Sequence, residues 1–170
     1  MTNIDRDFEA FVESRAHALL RVAYLLVGDE QLAQDHLQDV LMRMYQRWPR
    51  VQQEPDRYAR AALVNRTTDH WRRRSRRREA PMPDGLTVVA ADDTTAMIGR
   101  RTVLDALSVL TARQRAVIVL RYLEDLPVVE VAAMLRCSEG AVQSHAGRGL
   151  AKLREVLPSL SAALNGDSHA

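Results

Sequence analysis

Two stretches of the chain carry residue types and spacings that suit contact with a polyanion. The first runs from Pro127 to Leu153. A short apolar helical pattern leads into a turn at Arg136-Cys137-Ser138, and a longer helical pattern follows from Glu139 to Val156. Val131, Ala132 and Leu135 would brace Val142, Ala146 and Leu150, with Ala132 and Gly140 small enough for close approach at the corner. Such a helix-turn-helix leaves Gln143, Ser144, His145 and Arg148 on the outward side of the second helix, near its start. Amide, hydroxyl and guanidinium groups there match base edges and phosphates in a major groove. An ordinary helical hairpin would share the apolar bracing; the polar outer face favours DNA.

The second stretch runs from Asn65 to Arg78, where Arg66 to Arg78 holds seven arginines and one aspartate. Arginines do favour a helix C-terminus. So dense a group repels itself, however, unless anions are near. Asn65, His70 and Trp71 interleave with the arginines. Aromatic and amide groups amid arginine are what unstacked bases require.

Other candidates are weaker. His36, His70 and His145 fall on three separate helical segments with no shared ligand spacing, so no metal is expected. Asp35 and Asp39 lie four apart on one helix face, with no nucleophile or histidine to orient them, so a protein-binding or solvated face is expected. Cys137, the only cysteine, reads as a small buried residue rather than a reactive one, and it rules out an intrachain disulfide. No phosphate-cradling glycine loop is present. Neither an enzyme nor a cofactor is expected.

Helices must position these residues. Phe8, Phe11, Val12, Leu19, Val22 and Leu26 predict one helix, and Gly28-Asp29 breaks it. Leu37, Val40, Leu41, Met44, Tyr45 and Trp48 predict a second, stopped by Pro49. A third opens at Glu54-Pro55-Asp56, carries Tyr58, Ala62, Asn65 and Trp71, and runs into the arginines. Residues 80–97 read as an acidic linker broken by Pro81, Pro83 and Gly85. Val103, Leu104, Leu107 and Leu110 begin the last segment, and Thr111-Ala112-Arg113-Gln114 is a capping box before Val117, Ile118, Leu120 and Leu123. Pro127 starts the short helix, Ser138 caps the long one, and Pro158 is expected to end it.

The predicted fold is all-α, with two small helical domains over residues 1–79 and 98–165, the linker at 80–97, and a tail at 166–170. Each half is near the lower limit for an independent core. No apolar run approaches the roughly 18 residues of a membrane span. The first residues lack the basic start and apolar middle of a signal peptide, so a cytoplasmic protein without membrane insertion is expected. Net charge is only +2, but 23 of the 24 basic residues are arginine.

Four passages together resemble the extracytoplasmic-function sigma factors, the minimal form of the bacterial sigma-70 family, and the composition looks actinobacterial. Ala33 to Val40 resembles the family's core-polymerase-binding helix. Ala62 to Arg73 resembles its promoter −10 reading segment. Leu110 to Leu123 resembles the opening of its C-terminal domain, and Ala132 to Arg154 its helix-turn-helix. The resemblance implies a sigma factor directing core RNA polymerase to a subset of promoters. Asp35, Gln38, Asp39 and Arg43 would bind the clamp helices of the largest subunit, with the flap a further contact. Asn65, Trp71, Arg72, Arg73 and Arg74 would read and open the −10 element. Arg121, Gln143, Ser144 and Arg148 would engage the −35 element. An anti-sigma factor is a partner common in the family. His36 departs from the usual aliphatic residue, and Gly147 and Gly149 stand where many members carry bulky or basic side chains. A free-standing helix-turn-helix regulator with an N-terminal dimerisation or effector domain is the rival, and an adaptor using only the basic run is a third reading.

Overall fold

The computed structural model describes residues 3–77 and 103–166, and these are helical apart from turns and caps, with no strand among them. The linker expected at 80–97 and the end of the tail lie outside the described residues.

Helix α1 spans Asn3–Val27. It ends where Gly28 takes a positive φ of 77° and donates its N–H to the Tyr24 carbonyl at 2.7 Å. Glycine enters this left-handed conformation without the penalty a side chain meets. Asp29 then caps helix α2, Glu30–Gln46, by accepting from the Leu32 N–H at 2.7 Å. Pro49 does not stop α2, which has already ended at Gln46; the proline sits in the first turn of a separate short helix α3, Trp48–Val51. Its missing N–H is no loss there. Trp48 is thereby turned inward, stacked edge-on to Phe8 with ring centroids 5.1 Å apart. Helix α4, Pro55–Arg77, packs against α1 and α2. Its buried stripe is Ala59, Leu63, Val64 and Thr67, one position off the Tyr58, Ala62 and Asn65 row, which is only half-buried. Thr67 is accommodated because its hydroxyl donates to the Leu63 carbonyl at 2.8 Å.

In the C-terminal half, helix α5 is described over residues 103–108. Helix α6, Ala112–Ile118, opens on the expected capping box: the Thr111 side chain accepts from the Gln114 N–H, and the Gln114 side chain accepts from the Thr111 N–H. A π-helical turn follows over Val119–Leu123, and Glu124 donates its N–H to the Val119 carbonyl at 2.9 Å. Helices α7, Val128–Leu135, and α8, Glu139–Gly166, form the helix-turn-helix. At its corner Arg136 takes a left-handed φ of 51°, and Ser138 accepts from the Ala141 N–H at 3.1 Å as the cap of α8. Arg113 ties the corner to α6 by donating to the Leu135 carbonyl at 2.8 Å.

Two expectations about α8 are corrected. Pro158 lies inside the helix, which continues to Gly166. An interior proline removes one hydrogen bond and can bend a helix without ending it. Gly140 does not mediate close packing, since a methyl there would meet only the Ser138 hydroxyl, at 4.0 Å. The close approach is at Gly149, where a methyl would fall 3.1 Å from Ile118 of α6.

The two halves do not stand apart. Residues from Phe11 to Val64 and from Leu107 to Ala146 belong to one hydrophobic core, with α4 against α6 and α7, and α1 against α6 and the π turn.

Candidate nucleic-acid interface

The outward face of α8 carries Gln143, Ser144 and Arg148, all exposed, with His145 half-buried at its edge. Arg148 is folded back on its own helix: Nε donates to the Ser144 carbonyl at 3.3 Å and Nη2 to the Ser144 hydroxyl at 2.8 Å. Gly147 lies on this face with nothing within 4 Å of where a Cβ would stand. Arg121, by contrast, is half-buried and committed inward, donating to the Leu126 carbonyl at 2.6 Å and lying 5.7 Å from the Tyr122 ring centroid. Arg121 thus stands on the preceding π turn, apart from the outward trio.

The residues of α4 divide between two sides. Asn65 and Arg72, seven apart, share one face, with Asp69 3.9 Å from Arg72 between them. Trp71 and Arg74 share another, with the Arg74 guanidinium carbon 5.6 Å from the Trp71 centroid. Trp71 also meets His70 edge-on at 5.5 Å, and His70 meets His36 of α2 at 5.6 Å. This run of rings joins the aromatic end of α4 to α2. Sequence spacing gave no sign of it, because the two histidines are 34 positions apart. Arg72, Arg73 and Arg74 are exposed.

On α2, Asp35, Gln38 and Arg43 are exposed and Asp39 is half-buried. Asp39 has an unforeseen partner within the chain, Arg66 of α4. Asp35 accepts from Gln31 of its own helix, at 3.2 Å. Beside these acids lies an apolar groove of about 500 Å³, where Leu37, Leu41, Met42 and Tyr45 face Phe8 and Leu20 of α1. Met42 is 56% and Tyr45 49% exposed, so the expected core row of α2 is in part an outer surface. The signal was present in the sequence: the apolar stripe of α2 is wider than one packed face needs.

His36 fills an apolar place. It is buried, its Nδ1 has no hydrogen-bond partner, and its pKa is lowered to about 4, first by burial and then by Arg66 and His70, against the raising effects of Asp39 and Asp35. The native state therefore resists protonation where the unfolded chain, with an ordinary histidine pKa near 6.5, accepts it. The contribution is complete above that ordinary value and is lost as pH falls from there toward 4. Between pH 7.5 and 5 the wild-type chain should lose about 2 kcal/mol that His36→Leu retains. Urea unfolding at the two pH values checks this; equal losses in both chains would contradict it. Burial lowers His70 and His145 as well, so the variant keeps a residual slope.

Among the described residues no group of three or more His, Cys, Asp or Glu side chains could hold a metal ion, and no helix is long and apolar enough to cross a membrane.

Comparison with known proteins accords with this geometry. The family model "Sigma-70 region 2" matches residues 11–77, which hold α2 and α4, and "Sigma-70, region 4" matches residues 100–153, which hold the helix-turn-helix. The RNA polymerase sigma-E factor of Streptomyces avermitilis is 41% identical over 156 residues, covering 90% of this chain and 86% of that one. The ECF RNA polymerase sigma factor SigL of Mycobacterium tuberculosis is 32% identical over 161 residues, covering 89% of each. The fold is shared with the sigma factor RpoE in its co-crystal structure with the anti-sigma factor NepR from Bartonella quintana, at a TM-score of 0.69 and 22% identity over 90% of this chain and 98% of that one. It is also shared with CnrH in complex with the cytosolic domain of CnrY, at a TM-score of 0.66 and 23% identity over 91% and 90% of the two chains.

Proposed function

Because the chain belongs to the sigma-70 family, among its extracytoplasmic-function members, we propose that it directs core RNA polymerase to a subset of promoters in the cytoplasm and itself breaks no bond. The observation that carries this reading is the pairing, in one chain, of a basic aromatic-bearing helix end with an outward-facing Gln143, Ser144 and Arg148 on a helix-turn-helix. A free-standing regulator has no need of the first.

In this reading residues 1–79 hold core polymerase and the −10 element, 80–97 link, and 98–165 take the −35 element. The face of α2 that carries Asp35, Gln38, Asp39 and Arg43, together with the neighbouring groove, receives the clamp helices of the largest subunit. An apolar groove with acids on the neighbouring face suits a basic amphipathic helix pair. The flap is a second polymerase contact, and an anti-sigma factor is a natural regulator. Asn65 helps hold an unstacked base, Trp71 stacks on the separated strand, and Arg72, Arg73 and Arg74 follow its backbone. Unstacking costs a few kcal/mol. Stacking on the indole with phosphate contacts can offset it.

At the −35 element Arg148 leaves Ser144 for a base edge or phosphate, and Gln143 and Ser144 read beside it. Arg121 keeps the Leu126 carbonyl and offers its remaining N–H groups to the DNA backbone. Gly147 leaves this face short of a side chain, so −35 contacts are few.

Arg148→Ala should reduce transcription from a −35-dependent promoter by about 5- to 100-fold, the range for losing one good base contact. Core binding should be unchanged. Run-off transcription and a polymerase pull-down measure the two; loss of the mutant from the pull-down would refute this division of labour.

A further inference from the structure

Three flat side chains stand in a row that helix geometry alone does not require. Neighbours on a helix point about 100° apart, so adjacent side chains do not face each other. His70 and Trp71 are such neighbours, yet their rings meet edge-on with centroids 5.5 Å apart and planes at 82°. His70 also meets His36 of α2, at 5.6 Å and 69°. His36 is 3% exposed and belongs to the buried side of α2 with Ala33, Leu37 and Val40. The row therefore starts in the core. It ends at a half-buried indole, next in the chain to the exposed Arg72, Arg73 and Arg74.

The two imidazoles act as rings rather than as hydrogen-bonding groups. His36 Nδ1 and His70 Nε2 are both buried with no hydrogen-bond partner. A buried histidine kept for donating or accepting would have that nitrogen paired. Among the described residues no third ligand joins them to make a metal site. Both rings are neutral at ordinary pH. Burial lowers the His70 pKa most, followed by Arg74 and Arg66. At His36 burial, Arg66 and His70 outweigh Asp39 and Asp35.

The surroundings hold the row from both ends. Arg66 and Arg74 stand one turn to either side of His70 on α4. Arg66 is tied to Asp39 of α2, and the Arg74 guanidinium lies 5.6 Å from the indole centroid. A leucine at position 36 would fill the core but offer no ring edge to His70. Edge-to-face contacts favour particular plane directions, beyond the area they bury.

We propose that His36 and His70 are positioning residues for the −10 strand: together they fix the plane of Trp71 so that it is ready to stack on an unpaired base. The row of rings is a matter of this chain's own contacts; its use in promoter opening rests on the role given to Trp71 above.

The test uses the full chain as wild type, His36→Leu, His36→Phe, Trp71→Ala, and His36→Leu combined with Trp71→Ala. Urea unfolding establishes that each is folded. The chain has two tryptophans. Of the two indole N–H signals in a proton–nitrogen correlation spectrum, Trp71→Ala identifies one by removing it. That signal should shift and broaden in His36→Leu. It should stay near its wild-type position in His36→Phe, which keeps a ring edge and gives up no hydrogen bond. With core polymerase, His36→Leu should reduce opening of −10 thymines by about 2- to 10-fold, the cost of ordering one side chain anew. Core capture should be unchanged, and His36→Phe should open the promoter as wild type does. The double variant separates positioning from a general structural role. Once the indole is gone, His36→Leu should cost opening nothing further, because residues that act through one another are not additive. An unmoved Trp71 signal in His36→Leu, or an equal loss of opening with and without Trp71, would overturn the proposal. If the signal responds as expected while neither His36→Leu nor Trp71→Ala alters opening, the ring support stands and the role of Trp71 on the separated strand fails.

Discussion

A chain carrying Asp39→Arg should no longer co-elute with core RNA polymerase, its affinity falling by about 30-fold or more, the scale of an interface hot spot. Two effects add. An acid on the docking face proposed for α2 is replaced by a cation, which would repel a basic partner. The Arg66 side chain of α4 loses its partner and gains a like charge beside it. The second effect is internal, so a companion variant separates them. Asp35 is exposed and accepts from Gln31 of its own helix. Asp35→Arg changes the partner-facing charge and leaves Arg66 in its ion pair. Weakened core binding in both variants supports a docking face along α2. Normal co-elution of Asp39→Arg would count against it, and loss in Asp39→Arg alone would place its effect inside the domain.

Trp71→Ala is the second large effect. Promoter opening should fall by about 5- to 100-fold, the range for one stacked base. Core capture should remain. The indole is buttressed by His70 on one side and Arg74 on another, so its plane is held before any strand arrives. An ordered aromatic surface loses little entropy on stacking. Permanganate reactivity of −10 thymines reads opening directly. Wild-type reactivity in the variant would remove Trp71 from the strand-holding set.

These effects depend on features of unequal visibility in the sequence. Local devices were readable because their partners are neighbours in the chain. Gly28 before Asp29, the Thr111 and Gln114 capping box, and Ser138 at the head of α8 all involve residues within four positions. The helix-turn-helix and the arginine end of α4 were readable for the same reason. Long-range pairings were not. Asp39 looked like part of a free acidic face until the fold brought Arg66 to it. Glu124 carried no local signal in the sequence, and only the packing of α4 against the C-terminal half made it a buried bridge. The π turn that sets its direction has no composition of its own. The packing role of Gly149 was not legible because a glycine in a helix shows its purpose only through what lies opposite, here Ile118. Pro158 was read as a stop because a local rule was applied where a helix can absorb one lost bond.

The measurement that tests the central claim most directly is gel filtration of the purified full chain with sigma-free core RNA polymerase. The sigma reading predicts a stable one-to-one complex at physiological salt. Failure to co-elute with an active cognate core, together with dimeric binding of the free chain to duplex DNA, would contradict it and identify a free-standing regulator.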